Sequence, residues 1–269
     1  MSILQEIIAW KQKEVSDAKE LYPVKLLERS PYFKANTVSL EKYLLRADLS
    51  GIIAEFKRRS PSKGMINEFA DPAEVCLDYM QAGASALSVI TEGKYFGGSS
   101  KDLTTARRFN FCPILRKDFI IDEYQIIEAR SIGADAILLI AEVLTAAELK
   151  NLFEVAQKLG LEVLFEIHDR ENIQKLPADA RLVGINNRNL RNFEVDTRHS
   201  LELLSQLPEN VLKIAESGID SVQTAAHLLQ SGFGGLLMGE RFMREANPGI
   251  ACKLFIRKLE QAMKPLPQP

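Results

Sequence analysis

From residue 51 onward, short apolar runs alternate with segments whose apolar residues recur at helical spacing. The runs lie at 51–57, 85–91, 113–118, 135–140, 161–167, 181–186, 211–217 and 234–239, and each reads as a strand. Between them, segments such as 122–131, 145–159 and 221–230 are rich in Ala, Leu, Glu and Gln. Thr145 followed by Glu148 is a capping-box signature for the start of one such helix. Gly83, Gly133, Gly160 and Gly232 follow helical stretches, where a left-handed cap turns the chain back toward the sheet. Mostly apolar strands joined by crossovers of this length imply a parallel sheet covered by helices. Eight such units predict an α/β fold closed into a (β/α)8 TIM barrel. An open doubly wound sheet would also call for G-x-G-x-x-G after the first strand, where K-R-R-S-P-S-K-G stands instead.

Residues 1–48 stand outside the alternation. Positions 3–18 read as an amphipathic helix, followed by a Pro-containing loop and a second short helix near 39–46. So short a segment cannot bury a core of its own. It is therefore predicted to be an N-terminal helical extension packed on a barrel of residues 49–269, the two forming one domain. The length of 269 residues admits either one barrel or two small domains, and the unbroken alternation selects the barrel.

Composition narrows the class of function. Hydrophobic residues make up 46% and charged residues 26%, with a net charge of −2, which excludes a disordered chain and a general positive field for nucleic acid. Cys76, Cys112 and Cys252 are distant and odd in number, so they form neither a disulfide framework nor a C-x-x-C metal pair. Acidic and polar residues interrupt the N-terminus, and no apolar run reaches the ~18 residues of a membrane span. A cytoplasmic protein with neither nucleic-acid nor membrane partner is expected, monomeric, with a dimer as the alternative.

The C-terminal ends of barrel strands face the active-site mouth, so candidate chemistry is sought there. Glu55 and Lys57, two residues apart at the end of the first strand, project to one side. Lys117 ends the third strand, Glu166 the fifth, Asn186 the sixth and Glu216 the seventh. Each charge taken singly is an ordinary solvated rim residue, and Glu55 with Lys57 an ion pair that orders the mouth. Together they place several ionisable groups in one concavity, where perturbed acids and bases are expected. The seventh strand runs into E-S-G-I (216–219) and the eighth into M-G-E-R (238–241). Gly218 and Gly239 would let backbone N–H groups approach a phosphate, and a helix beginning near Glu240 would aim its positive end at it. Two loops, 91–99 and 56–64, add aromatic and basic residues; Arg58, Arg59 and Lys63 are read singly as solvent-facing, and His168, His199 and His227 as ordinary histidines without ligand spacing.

These stretches resemble a known family. I-A-E-F-K-R-R-S-P-S-K-G, T-E-G-K-Y-F-G-G-S, I-L-R-K-D-F-I-I-D, L-F-E-I-H-D, G-I-N-N-R-N-L, A-E-S-G-I and L-M-G-E-R-F-M are similar, in this order, to the strand-and-loop signatures of the indole-3-glycerol phosphate synthases. The resemblance covers residues 3–260. It implies a lyase of tryptophan biosynthesis that uses neither metal nor organic cofactor and acts on a small-molecule anionic substrate, 1-(2-carboxyphenylamino)-1-deoxyribulose 5-phosphate. It further implies Lys117 as the general acid at the carbonyl, its proton made available by neighbouring cations and partial desolvation. Glu166 is implied as the base for the later proton removal, with Glu55 and Lys57 as the alternative acid/base pair. Asn186, Arg188 and Glu216 would orient sugar hydroxyls and anions, and Ser60 would join the substrate contacts. Ser217, Gly218, Gly239 and Glu240 would surround the phosphate; some relatives carry Ser at the position of Glu240, so its carboxylate is expected to turn away. Phe96, Phe119, Leu138 and Phe193 are candidate walls for the anthranilate ring, with core packing as the other reading. Two other classes fit the residues: a Schiff-base, aldolase-like barrel with Lys117 as nucleophile, and a phosphate-binding barrel without activity.

Overall fold

Eight parallel strands close on themselves in chain order: Ile52–Phe56, Ala86–Ile90, Ile114–Lys117, Ala136–Ile140, Glu162–Ile167, Leu182–Asn186, Leu212–Glu216 and Gly235–Met238. The ring is shut by pairing of the first strand with the eighth, in the register Ile52 to Leu236. Each strand lies within one residue of the apolar run that predicted it, so Lys57 and Ser217 open loops rather than end strands. The computed structural model describes residues 2–188 and 197–264.

The strand period of two sorts the side chains. Ile53, Leu115, Leu164, Leu182 and Ile214 fill the barrel interior, whereas Ile52, Leu87, Ile114, Phe165 and Ile185 pack outward against the helices. The same alternation carries the polar residues inward. Glu55 follows Ile53 by two, Lys117 follows Leu115, Glu166 follows Leu164 and Glu216 follows Ile214, so all four reach the C-terminal mouth. The capping box of Thr145 and Glu148 forms, opening the helix Ala146–Lys158. Gly83, Gly133, Gly160 and Gly232 all take positive φ, as a left-handed return to the sheet requires.

Two features of the first loop differ from expectation. It folds into a small antiparallel hairpin, Arg59–Ser60 against Gly64–Met65. Arg58 and Arg59 do not face solvent. Arg58 makes a two-pronged bond to Asp102, at 2.6 and 3.0 Å, with its guanidinium 4.8 Å above the Phe56 ring. Arg59 Nε donates to the Tyr95 carbonyl at 3.0 Å. A fork of donors meeting a carboxylate, and a planar cation meeting an aromatic face, outweigh hydration of the guanidinium and tie the first loop to the second.

The extension begins with the helix Ile3–Leu21, capped by Ser2 and Gln5. A helical turn at Val24–Leu27, which the pattern did not suggest, and the short helix Leu40–Leu44 follow. At the mouth, Lys11 Nζ lies 2.8 Å from Asp118, both side chains being only 2% exposed. Asp118 also accepts from Thr91 Oγ1 at 2.5 Å and from Arg116 Nη2 at 3.2 Å. Burial opposes its ionisation, but Lys11 and Arg116 overcome it and hold the carboxyl down at about 2. At the opposite end, Val38 N donates to Asp135 and Glu41 N to Glu162, while Leu40 and Leu44 join the barrel's inner cluster. The extension thus grips both ends of the barrel. Among the described residues, no helix is long and apolar enough to cross a membrane.

Lys11→Met removes one cation from this buried network while Arg116 still faces Asp118. The expected loss is about 3 kcal/mol, the lower end of the range for breaking a buried pair, read as a lower denaturant midpoint with unchanged slope. Because the Asp118 carboxyl is depressed, its share of the stability is present above the ordinary carboxylate pKa and is lost as the pH falls toward 2.

Candidate active site

A cleft of about 390 Å³ opens at the C-terminal mouth. Every candidate residue from the sequence lines it except Phe193, which lies outside the described residues. The third, fifth and seventh strands converge on one cation. Lys117 Nζ lies 2.8 Å from Glu166 Oε2 and 2.5 Å from Glu216 Oε2. Glu166 Oε1 accepts from Asn186 Nδ2 at 3.0 Å, and Asn186 Oδ1 in turn accepts from the Arg188 backbone N–H at 2.9 Å. Across the mouth, Lys57 Nζ and Glu55 Oε1 form a second pair at 2.9 Å.

The electrostatics correct one expectation. Lys117 is surrounded by carboxylates rather than by cations. Burial alone would depress its ammonium, but Glu166, Glu216 and Glu55 overcome that and hold its pKa above the ordinary lysine value. The amine is therefore charged, which makes it a proton donor and a poor nucleophile, against the Schiff-base reading. The two carboxylates that share it diverge. Burial raises Glu166, yet Lys117 and the Asn186 amide more than compensate and bring it below the usual carboxylate value. Glu216 is pushed up, to about 8: burial is the largest cause, and the charges of Glu166 and Glu55 add to it against the pull of Lys117. Two negative charges on one buried cation cannot both be favourable, so the pair holds a proton near neutrality. No donor reaches Glu216 Oε1 among the described residues.

The first loop and the seventh and eighth strand ends enclose a second, more open part of the cleft. Ser60, Ser62 and Lys63 face Ser217, Gly218, Gly239 and Glu240 there. Ser217 and Gly218 both take positive φ, at 65° and 71°. The helix expected near Glu240 is present as one turn, Glu240–Met243, capped by Gly239. The Glu240 carboxylate does not turn away: it lies 3.7 Å from Lys63 Nζ and 3.5 Å from Arg188 Nη2, because these cations reach it from loops on either side. Arg188 also donates to Ser62 Oγ at 3.1 Å. The apolar wall consists of Leu138, Phe119 and Phe96, with the two rings 6.0 Å apart and tilted by 41°.

Glu92 was not among the candidates. It is fully buried and accepts the backbone N–H groups of Lys94, Tyr95 and Phe96 at 3.1, 2.8 and 2.9 Å, so it fixes the loop that presents Phe96 to the cleft. Glu92 one residue ahead of Gly93, at the end of an apolar strand, was the available signal. Lys11 and Asp118, which brace the backbone next to Lys117, gave no signal beyond an ordinary charge on a helix and a charge after a strand.

The model of the family described as indole-3-glycerol phosphate synthase matches residues 4–256. The chain is 45% identical to the indole-3-glycerol phosphate synthase of Bacteroides thetaiotaomicron over 258 residues, covering 96% of this chain and 99% of that one. It is 43% identical to that of Campylobacter jejuni, over 94% of this chain and all of the other. Among solved structures it is similar in fold to the tryptophan synthase alpha subunit of Legionella pneumophila, with a TM-score of 0.60 and 15% identity over 83% of this chain and 97% of the other. It is likewise similar in fold to 3-hexulose-6-phosphate synthase from Salmonella typhimurium, with a TM-score of 0.57 and 13% identity over 78% and 99% of the two chains.

Proposed function

This chain belongs to the indole-3-glycerol phosphate synthase family, and on that premise we propose how its side chains divide the steps of the family's reaction. The enzyme is a carboxy-lyase of tryptophan biosynthesis. It converts 1-(2-carboxyphenylamino)-1-deoxyribulose 5-phosphate into indole-3-glycerol phosphate, carbon dioxide and water. The ring carbon that carries the carboxylate attacks the ribulose carbonyl, whose oxygen must take up a proton. Loss of carbon dioxide returns an electron pair to the ring. A base then removes a proton from the methylene beside nitrogen while an acid, the Lys117 ammonium once recharged, protonates the hydroxyl, which departs as water.

Lys117 is the acid of the first step. Its raised pKa is no obstacle, since the developing alkoxide is more basic still. Glu216, hydrogen-bonded to the same nitrogen and holding a proton near neutral pH, can then reprotonate it. Glu166, held ionised by Lys117 and Asn186, is the base of the last step. The observation that carries this division is that the two carboxyl groups on one lysine are served unequally: Glu166 accepts from both Lys117 and the Asn186 amide, whereas Glu216 Oε1 meets no donor among the described residues, an inequality of the kind by which one site holds an acid and a base at the same pH. Lys57, steadied by Glu55, meets the substrate's carboxylate. Ser60, Lys63 and Arg188, with the backbone at Ser217, Gly218 and Gly239, receive the phosphate, which competes with Glu240 for the two cations. Phe96, Phe119 and Leu138 flank the anthranilate ring.

The test is the pH profile of kcat/KM, followed by indole fluorescence. If the proton on Glu216 is required, activity falls as the pH rises through about 8. In Glu216→Gln that alkaline limb disappears, on a rate lower by about 10²-fold. An unchanged rate and profile in this variant would remove Glu216 from the scheme.

A further inference from the structure

Gly184 sits in the middle of the sixth strand, between Leu182 and Asn186, whose side chains both face the barrel interior. Glycine in a strand interior weakens it and calls for a reason. Conformation is not the reason, because Gly184 is not among the residues with positive φ. Space is. A Cβ at this position would lie 1.9 Å from Glu216 Oε1, 3.0 Å from its Cδ and 3.5 Å from its Cγ. No van der Waals contact survives at the first of these distances, whereas the last is ordinary. The conflict is thus confined to the tip of the Glu216 side chain.

We infer that Gly184 is a positioning residue for the reaction: its missing side chain is the seat of the Glu216 carboxyl, and it sets how that group shares Lys117 with Glu166. The inference rests on the reading of Glu216 given above. Gly184 is in register with Glu166 on the fifth strand, and Asn186, two residues on, is in register with Glu216 on the seventh. The seat therefore lies between the two carboxylate-bearing strands. A carboxyl that fills it puts Oε2 within 2.5 Å of Lys117 Nζ and leaves Oε1 against bare backbone with no donor among the described residues. An oxygen without a donor is where a proton meets no competitor. The charged groups that face Glu216 are Lys117 from the third strand, Glu166 from the fifth and Glu55 from the first, the last paired with Lys57. A methyl group on residue 184 pushes the carboxyl out of the seat and rearranges all of these contacts without touching substrate.

Four enzymes test this: the parent, Glu216→Gln, Gly184→Ala and the double variant, each read by kcat/KM against pH. Gly184→Ala is expected to lose about as much activity as Glu216→Gln, about 10²-fold, and to lose the alkaline limb. The double variant is expected to match Glu216→Gln, because a residue that acts only through Glu216 has nothing left to position. Parent-like activity in Gly184→Ala beside a slow Glu216→Gln overturns the seat alone, as does a double variant whose losses multiply. Parent-like activity in Glu216→Gln overturns the underlying reading and the seat with it. Should Gly184→Ala lower the thermal midpoint, adding Glu216→Ala empties the contested space and is expected to restore it; failure to restore it also counts against the seat.

Discussion

Lys117→Met is expected to lower kcat by about 10⁴-fold, the upper end of what one acid/base group contributes, in a protein that still folds. Three losses coincide in the one change. The carbonyl oxygen has no donor as the ring closes. Glu166 and Glu216, both buried, lose the cation that separates their roles. They must then share a proton between themselves, as facing carboxyls do, so Glu166 ceases to be held ionised and the base is weakened together with the acid. Methionine keeps most of the lysine's apolar stem, and neutralisation of one carboxyl relieves the uncompensated charge, so the barrel is expected to retain its circular dichroism spectrum. Single-turnover indole fluorescence measures the chemical step directly. A rate within about tenfold of the parent would identify another donor.

That experiment turns on residues legible in the sequence alone, for specific reasons. Lys117, Glu166 and Glu216 fall two residues beyond interior leucines and isoleucines of their own strands, so the period that buries Leu115, Leu164 and Ile214 also delivers the ionisable groups to the mouth. Strand positions were legible for the same reason. What the residues do to one another was not. Which charges surround Lys117 depends on side chains from three strands, up to 99 positions apart in sequence, and the expected cations turned out to be carboxylates. Arg58 and Arg59 looked like solvated loop charges because Asp102 and the Tyr95 carbonyl, their partners, lie in the next unit of the barrel. Lys11 reads as a helix-surface lysine until Asp118, more than a hundred residues later, closes over it. Gly184 was hidden most completely. A glycine inside G-I-N looks like any weak strand position, and only the tip of a side chain from the neighbouring strand shows that the absence of a methyl group matters.

Glu166→Gln separates the two halves of the reaction. Glutamine is nearly isosteric, and its amide oxygen can still accept from Lys117 or Asn186, as Glu166 does now. Ring closure and loss of carbon dioxide therefore remain possible, while the final proton removal has no base. Indole formation is expected to fall by about 10³-fold, and in a single turnover carbon dioxide is expected to appear ahead of indole. A second consequence carries its own sign. The Glu166 charge is one of the forces holding the Glu216 pKa up. With that charge removed, Glu216 titrates at lower pH, so whatever activity remains should decline on the alkaline side earlier than in the parent. If Glu55 and Lys57 perform the deprotonation instead, the pattern inverts: Glu166→Gln keeps carbon dioxide and indole in step, and Glu55→Gln becomes the variant that releases the gas without completing the dehydration to indole. The two carboxylates lie on opposite sides of the mouth, each bound to a different lysine, so one pair of single-turnover traces assigns the proton to one of them.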